Sequence, residues 1–118
     1  MDFFEYLNFL MENKLKFIMI YTTLPDKAIT KKIAKKLVDE KLIACANFFP
    51  VESVYRWEKK LCEDKEHVLI MKTRKELYKK VEIRLKEIHP YEIPAIVSYE
   101  IKEGSKNYLS WIKEGTKD

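Results

Sequence analysis

Glycine is nearly absent from this 118-residue chain: Gly104 and Gly115 are all it has, and they stand apart. A phosphate-cradling loop needs several glycines close together, so a nucleotide loop of that kind is excluded. Cysteine is as scarce. Cys45 and Cys62 form no Cys-x-x-Cys pair, and the two histidines, His67 and His89, form no His-Glu-x-x-His run, so metal sites with those spacings are excluded. Serine occurs at 53, 98, 105 and 110 without a Gly-x-Ser-x-Gly elbow, which disfavours a hydrolase. No apolar run approaches the roughly 18 residues of a membrane span. An excess of one charge is missing too: 23 basic residues meet 19 acidic ones for a net +4. The signs alternate, as in Lys59-Lys60-Leu61-Cys62-Glu63-Asp64-Lys65-Glu66, so there is no basic patch for a nucleic acid.

What is present is a core. With 47% hydrophobic and 13% aromatic residues against 36% charged ones, the chain has the composition of one folded domain. The dense mixed charge and few glycines suggest a heat-adapted source. Residues 1–14 read as an N-terminal extension to a domain over 15–118. Within the extension Phe3, Phe4, Leu7, Leu10 and Met11 fall at helical spacing, as in a short helix packed on the body. Asp2 and Glu5 stand where a secretion signal needs positive charge, so the expected compartment is the cytoplasm, with reduced thiols. Met11 offers an alternative start.

The pattern predicts strand one over 16–23, a helix over 25–41 opened by Pro25 and Asp26, and strands over 44–57 and 60–73 that turn at Glu58-Lys59. In the first helix Ile29, Ile33, Ala34, Leu37 and Val38 form the apolar stripe. Thr73 and Glu76 have capping-box spacing for a second helix over 74–88 that stops at His89-Pro90. A fourth strand over 95–101 and a short C-terminal helix near 107–113 complete a βαββαβ order. That is the ferredoxin-like α+β fold, with a four-stranded antiparallel sheet, both helices on one face and a long hairpin between the second and third strands. Strands of about 13 residues reach roughly 43 Å, whereas the helices cover only roughly 25 Å. The far hairpin end, with Val54, Tyr55, Trp57 and Leu61, therefore outruns its cover and implies a homo-oligomer.

A turn at Glu58-Lys59 pairs residues whose numbers sum to 117, unless Pro50 introduces a bulge. Cys45 then faces Lys72, whose ammonium would favour a thiolate; the plainer alternative is a small core residue between Ala44 and Ala46. Cys62 faces Tyr55, roughly 33 Å away along the ladder, so no disulfide joins the cysteines. The segment His89-Pro90-Tyr91-Glu92-Ile93-Pro94 offers an imidazole and a carboxylate on a proline-braced path, a candidate metal site at His89 and Glu92; alternatively it only stops a helix. Trp57 fits either a cleft floor or a subunit contact.

Six ordered stretches now bear on family. They are Thr22-Thr23-Leu24-Pro25-Asp26, Leu42-Ile43-Ala44-Cys45-Ala46-Asn47, Ser53-Val54-Tyr55-Arg56-Trp57-Glu58, Lys72-Thr73, His89-Pro90-Tyr91-Glu92-Ile93-Pro94 and Tyr108-Leu109-Ser110-Trp111-Ile112. Together they resemble the CutA divalent-cation tolerance proteins over about residues 16–114. The resemblance implies a non-enzymatic homotrimer serving tolerance of copper and other divalent metals, with weak metal binding. It also implies a subunit-interface cleft like that of P-II-type signalling proteins, at positions matching Cys45, Trp57, Lys72, His89, Tyr91 and Glu92. A small-molecule or nucleotide-binding signalling module and a structural trimer that presents a partner are the alternatives. Thr22 stands where some members carry a cysteine and Ile88 where a second histidine can occur, so His89 alone survives of the copper ligands.

Overall fold

Alternation in the first strand decides where the core lies. In β1 (Phe17–Leu24) the residues Ile18, Ile20, Thr22 and Leu24 are all at most 3% exposed, and they point to the face that the two long helices cover. The computed structural model describes residues 2–5, 7 and 15–117. After β1 come α1 (Lys27–Asp39), β2 (Cys45–Trp57), β3 (Lys60–Arg74), a 3₁₀ turn (Lys75–Leu77) running into α2 (Tyr78–Ile88), β4 (Val97–Ile101) and α3 (Lys106–Glu114). The strands form one antiparallel sheet in the order β2-β3-β1-β4, the expected ferredoxin-like arrangement. Ile33, Ala34 and Leu37 of α1 and Val81 and Leu85 of α2 join Ile18, Ile20, Leu69 and Met71 in the core.

The hairpin register is the expected one: Cys45 faces Lys72 and Tyr55 faces Cys62, and Pro50 lies in register opposite His67 without a bulge. Pro50 is tolerated because β2 is a sheet edge. Scarcity of glycine is felt in the turns. Glu58 (φ 49°) and Lys59 (φ 66°) both adopt left-handed backbone, the conformation of the tight hairpin turn that usually carries Asn-Gly. Lys41 (φ 59°) does the same after α1, where helix ends favour glycine.

Several expectations are corrected. Asp26, not Pro25, opens α1: its Oδ1 accepts the Ile29 N–H at 2.9 Å as an N-cap, leaving Pro25 outside the helix. Thr73 and Glu76 form no capping box. Thr73 belongs to β3, its buried hydroxyl donates to the Leu42 carbonyl at 2.7 Å, and Glu76 turns to Arg74. Val38 leaves the apolar stripe for solvent at 40% exposure. Phe3, Phe4 and Leu7, expected to pack on the body, are exposed, while Leu10 and Met11 lie outside the described residues. No described helix is long and apolar enough to cross a membrane.

The length mismatch is larger than expected. α1 and α2 have 13 and 11 residues, or about 20 and 17 Å, on a molecule with extents of 61 × 25 × 22 Å. Val54 (65% exposed) and Leu61 (68%) sit at the uncovered end.

Candidate functional site

On the face of the sheet away from α1 and α2, odd residues of β2 and even residues of β3 share one surface, because paired numbers sum to 117. α3 covers the end of this surface that holds Cys45. Cys45 Sγ lies 3.4 Å from the Tyr108 hydroxyl, and the Lys72 ammonium donates to Asn47 Oδ1 at 3.3 Å while sitting 5.4 Å above the Tyr108 ring. Tyr108 in turn stacks on Trp111. The hydrogen bond with Cys45, with burial behind it, raises the Tyr108 pKa, and the Lys72 ammonium opposes the shift.

Toward the other end the surface opens into a groove of about 650 Å³, its walls built by Tyr55 and Trp57 of β2, Asp64 and Glu66 of β3, and Tyr91 and Glu92 of the loop after α2. Two phenols clasp two carboxylates there. The Tyr91 hydroxyl donates to Glu66 Oε2 at 2.6 Å, and the Tyr55 hydroxyl donates to Asp64 Oδ2. Asp64 pushes the Tyr55 pKa up to about 12, because a carboxylate acceptor favours the protonated phenol. Burial, then the bond to Glu66, holds Tyr91 well above the usual phenol range.

The loop itself is pinned by His89. His89 is 8% exposed, its Nε2 donates to the Thr23 carbonyl at 2.9 Å with Thr22 Oγ1 at 3.1 Å, and its Nδ1 accepts the Tyr91 N–H at 3.1 Å. A carbonyl can only accept, so the proton is on Nε2 and the ring is neutral. Burial lowers the His89 pKa, against weaker opposing effects of the Thr23 carbonyl and Glu66.

This geometry does not fit the metal pair expected at His89 and Glu92. The one lone pair His89 would offer a metal is taken by the Tyr91 N–H, whereas Glu92 is exposed on the groove. Among the described residues no three His, Cys, Asp or Glu side chains converge. The expected cleft is also divided: Trp57 and Tyr91 line the groove, but Cys45 and Lys72 belong to the Tyr108 cluster. Cys45 and Trp57 are opposite ends of one strand, about 40 Å apart, so one small ligand cannot touch both within a chain. Both cysteines are free thiols. Asp64 and Glu66 were not expected as site residues, and Tyr108 was expected only as part of the C-terminal stretch. The register alone signals the first two, since both are even residues of β3 and share the face of Tyr55 and Trp57.

The arrangement of the sheet, the long hairpin and the His89–Glu92 loop can now be set beside known proteins. The family model for the CutA1 divalent ion tolerance protein matches residues 18–115. The chain belongs to the CutA1 family. It is 44% identical over 100 residues to the divalent-cation tolerance protein CutA of Pyrococcus horikoshii, covering 85% of this chain and 98% of that one. The crystal structure of CutA1 from Oryza sativa superposes with a TM-score of 0.86 at 39% identity, covering 88% of this chain and 96% of the other. The Archaeoglobus fulgidus structure, described as a periplasmic divalent cation tolerance protein CutA, gives 0.83 at 38% identity, with 84% and 97% covered. Membership of the CutA1 family supports a role in metal tolerance, and the name describes a tolerance protein, not an enzyme. Residues 1–14 lie outside the match.

Proposed function

We propose that the chain is a non-enzymatic homotrimer for divalent-cation tolerance, which binds its cations weakly. The observation that carries assembly is the hairpin end: Val54, Tyr55, Trp57 and Leu61 are each more than 40% exposed, and none of the described helices is long enough to cover them. Tyr55 and Trp57 project from one face of the hairpin end and Val54 and Leu61 from the other, so both faces carry exposed apolar surface of the kind that a closed symmetric interface buries. Weak cation binding follows from the ligand supply. Glu92 is exposed on a groove whose other carboxylates, Asp64 and Glu66, are already held by phenols, and a tight site needs more ligands than two. Cu²⁺ is the ion to try first, with His89 outside its ligand set. A cytoplasmic location, where its two cysteines stay reduced, is part of this proposal, and the dense mixed charge fits a heat-adapted source.

The second reading, a P-II-like small-molecule module, is favoured by one feature, the 650 Å³ groove with Tyr55, Trp57 and Tyr91 in its walls. Light scattering tests the first reading. Three 14.2 kDa chains give a particle of about 43 kDa, and a stable 14.2 kDa species at micromolar concentration overturns the trimer. A thermal-shift series with Cu²⁺, other divalent ions and nucleotides separates the readings, since a ligand that binds only the folded state raises the melting temperature.

A further inference from the structure

The groove walled by Tyr55, Trp57 and Tyr91 carries negative charge that the fold leaves without a counter-charge. Asp64, Glu66 and Glu92 line it, and the one basic residue along it, Lys65, is an odd residue of β3 whose side chain leaves from the opposite face. Glu66 decides the matter. It is only 9% exposed, yet among the described residues no Lys or Arg pairs with it, and the Tyr91 hydroxyl on Oε2 is its one side-chain hydrogen bond. His89 is close enough to feel Glu66, but the ring is neutral and both its nitrogens are bonded. A nearly buried carboxylate is costly unless a cation or further donors offset it. A carboxylate accepts at about four lone-pair positions, so one phenol leaves most of that capacity unused. Glu66 Oε1 is not sealed inside the protein, since among the described residues Arg74 Nη2 is the one buried side-chain atom without a partner.

The walls select among cations. A metal ion needs several oxygens at once, whereas an ammonium group needs one acceptor and is also attracted to aromatic faces. A hydrocarbon chain between ammonium groups has apolar contact with the same rings. Spacing selects further. Asp64 and Glu66 stand two residues apart on β3 and so project from one face about 7 Å apart. The nitrogens of an extended four-carbon diamine, joined by five single bonds of about 1.5 Å, lie about 6 Å apart.

We propose that this groove binds a linear aliphatic diamine or polyamine, with ammonium groups on Asp64 and Glu66 and the methylene chain against Tyr55, Trp57 and Tyr91. Glu92, exposed on the same groove, serves a third nitrogen. The proposal rests on the small-molecule reading of the groove and names its ligand class. The same three carboxylates, with no basic side chain facing them, repel an anionic nucleotide.

Calorimetry on the full-length chain, in whatever assembly it forms, tests this with putrescine and spermidine, and with butylamine and Mg²⁺ as controls. Putrescine should bind with a Kd below about 1 mM and at least about tenfold tighter than butylamine, which has one ammonium group, and spermidine should bind tighter still. Mg²⁺, with the charge of putrescine but no carbon chain, should bind at least about tenfold more weakly than putrescine. Glu66→Gln keeps an oxygen for the Tyr91 hydroxyl and should weaken putrescine by about tenfold or more. Asp64→Asn, at an exposed position where folding is not at stake, should do the same. No putrescine binding, Mg²⁺ binding as tight as putrescine, or unchanged affinity in both variants overturns the proposal. Nucleotide binding without putrescine binding overturns this ligand class and keeps the small-molecule reading, and binding of neither overturns both.

Discussion

The neutral, doubly bonded state of His89 makes the stability of the fold depend on pH in a defined direction. Burial lowers the pKa of His89 below the ordinary imidazole value of 6.5. Between the two values the unfolded chain holds a proton that the native chain does not, so stability is full above about pH 6.5 and falls as the pH drops through the imidazole range. The slope can reach about 1.4 kcal/mol per pH unit for each chain. The total follows from the contacts. A proton on Nδ1 would face the Tyr91 N–H at 3.1 Å, so protonation exchanges a hydrogen bond for two buried donors without an acceptor, a loss of about 1–3 kcal/mol. Glu40 and Glu82, whose pKa values are lowered mainly by hydrogen bonds from Arg84 and Tyr78, lose their contributions only as the pH falls below about 4.5, outside this window. Urea unfolding at pH 7.5 and 5.5 is the assay, at fixed protein concentration so that the proposed assembly contributes equally at both pH values. His89→Gln, which cannot titrate, should be less stable than wild type at pH 7.5 and should lose less on acidification. Equal pH dependence in wild type and variant would refute the reasoning, as would an imidazole that titrates at 6.5 in the folded protein by NMR.

The same geometry predicts that His89→Gln leaves Cu²⁺ affinity within about twofold by calorimetry, since the imidazole lone pair is not on offer; a tenfold loss, about 1.4 kcal/mol, would place the metal on His89 after all. Tyr91→Phe deprives the nearly buried Glu66 of its donor and should cost about 1.5–3 kcal/mol in chemical denaturation, the value of a hydrogen bond to a charged group. The phenol's raised pKa means that this contribution is present below about pH 10 and is lost as the pH rises into the strongly alkaline range. Trp57→Asp, which puts a charge on the uncovered hairpin end, should shift sedimentation toward the single chain, and an unchanged particle mass would remove that end from the interface. Lys59→Gly relieves a left-handed residue and should stabilise by up to about 1 kcal/mol, read as a higher denaturation midpoint.

Local pattern was enough for much of the fold, because hydrophobic periodicity reports which face of an element is buried. The alternation of β1, the stripe of α1 and the Glu58-Lys59 turn placed the elements, and a single turn position determined the whole register of the long hairpin down to Cys45 opposite Lys72. The length mismatch between hairpin and helices was equally a matter of counting residues. Capping was not legible. Thr73 has the spacing of a box, yet its hydroxyl goes to Leu42, 31 positions earlier in the chain, and no local window contains that competitor. The same holds for chemistry. His89 looks like a metal ligand in a proline-braced hexapeptide, and only the folded structure shows both ring nitrogens in use, Nε2 on Thr22 and Thr23 from the distant β1 and Nδ1 on the N–H of Tyr91 in the same loop. Cys45, Lys72, Trp57 and Tyr91 belong together as sequence motifs, but an extended strand separates what it connects by about 3.3 Å per residue. Residue identity and spacing thus determined which groups the protein owns and how its strands pair. The tertiary structure decided which groups meet and which hydrogen bonds are already spoken for, because those depend on partners that sequence distance does not encode.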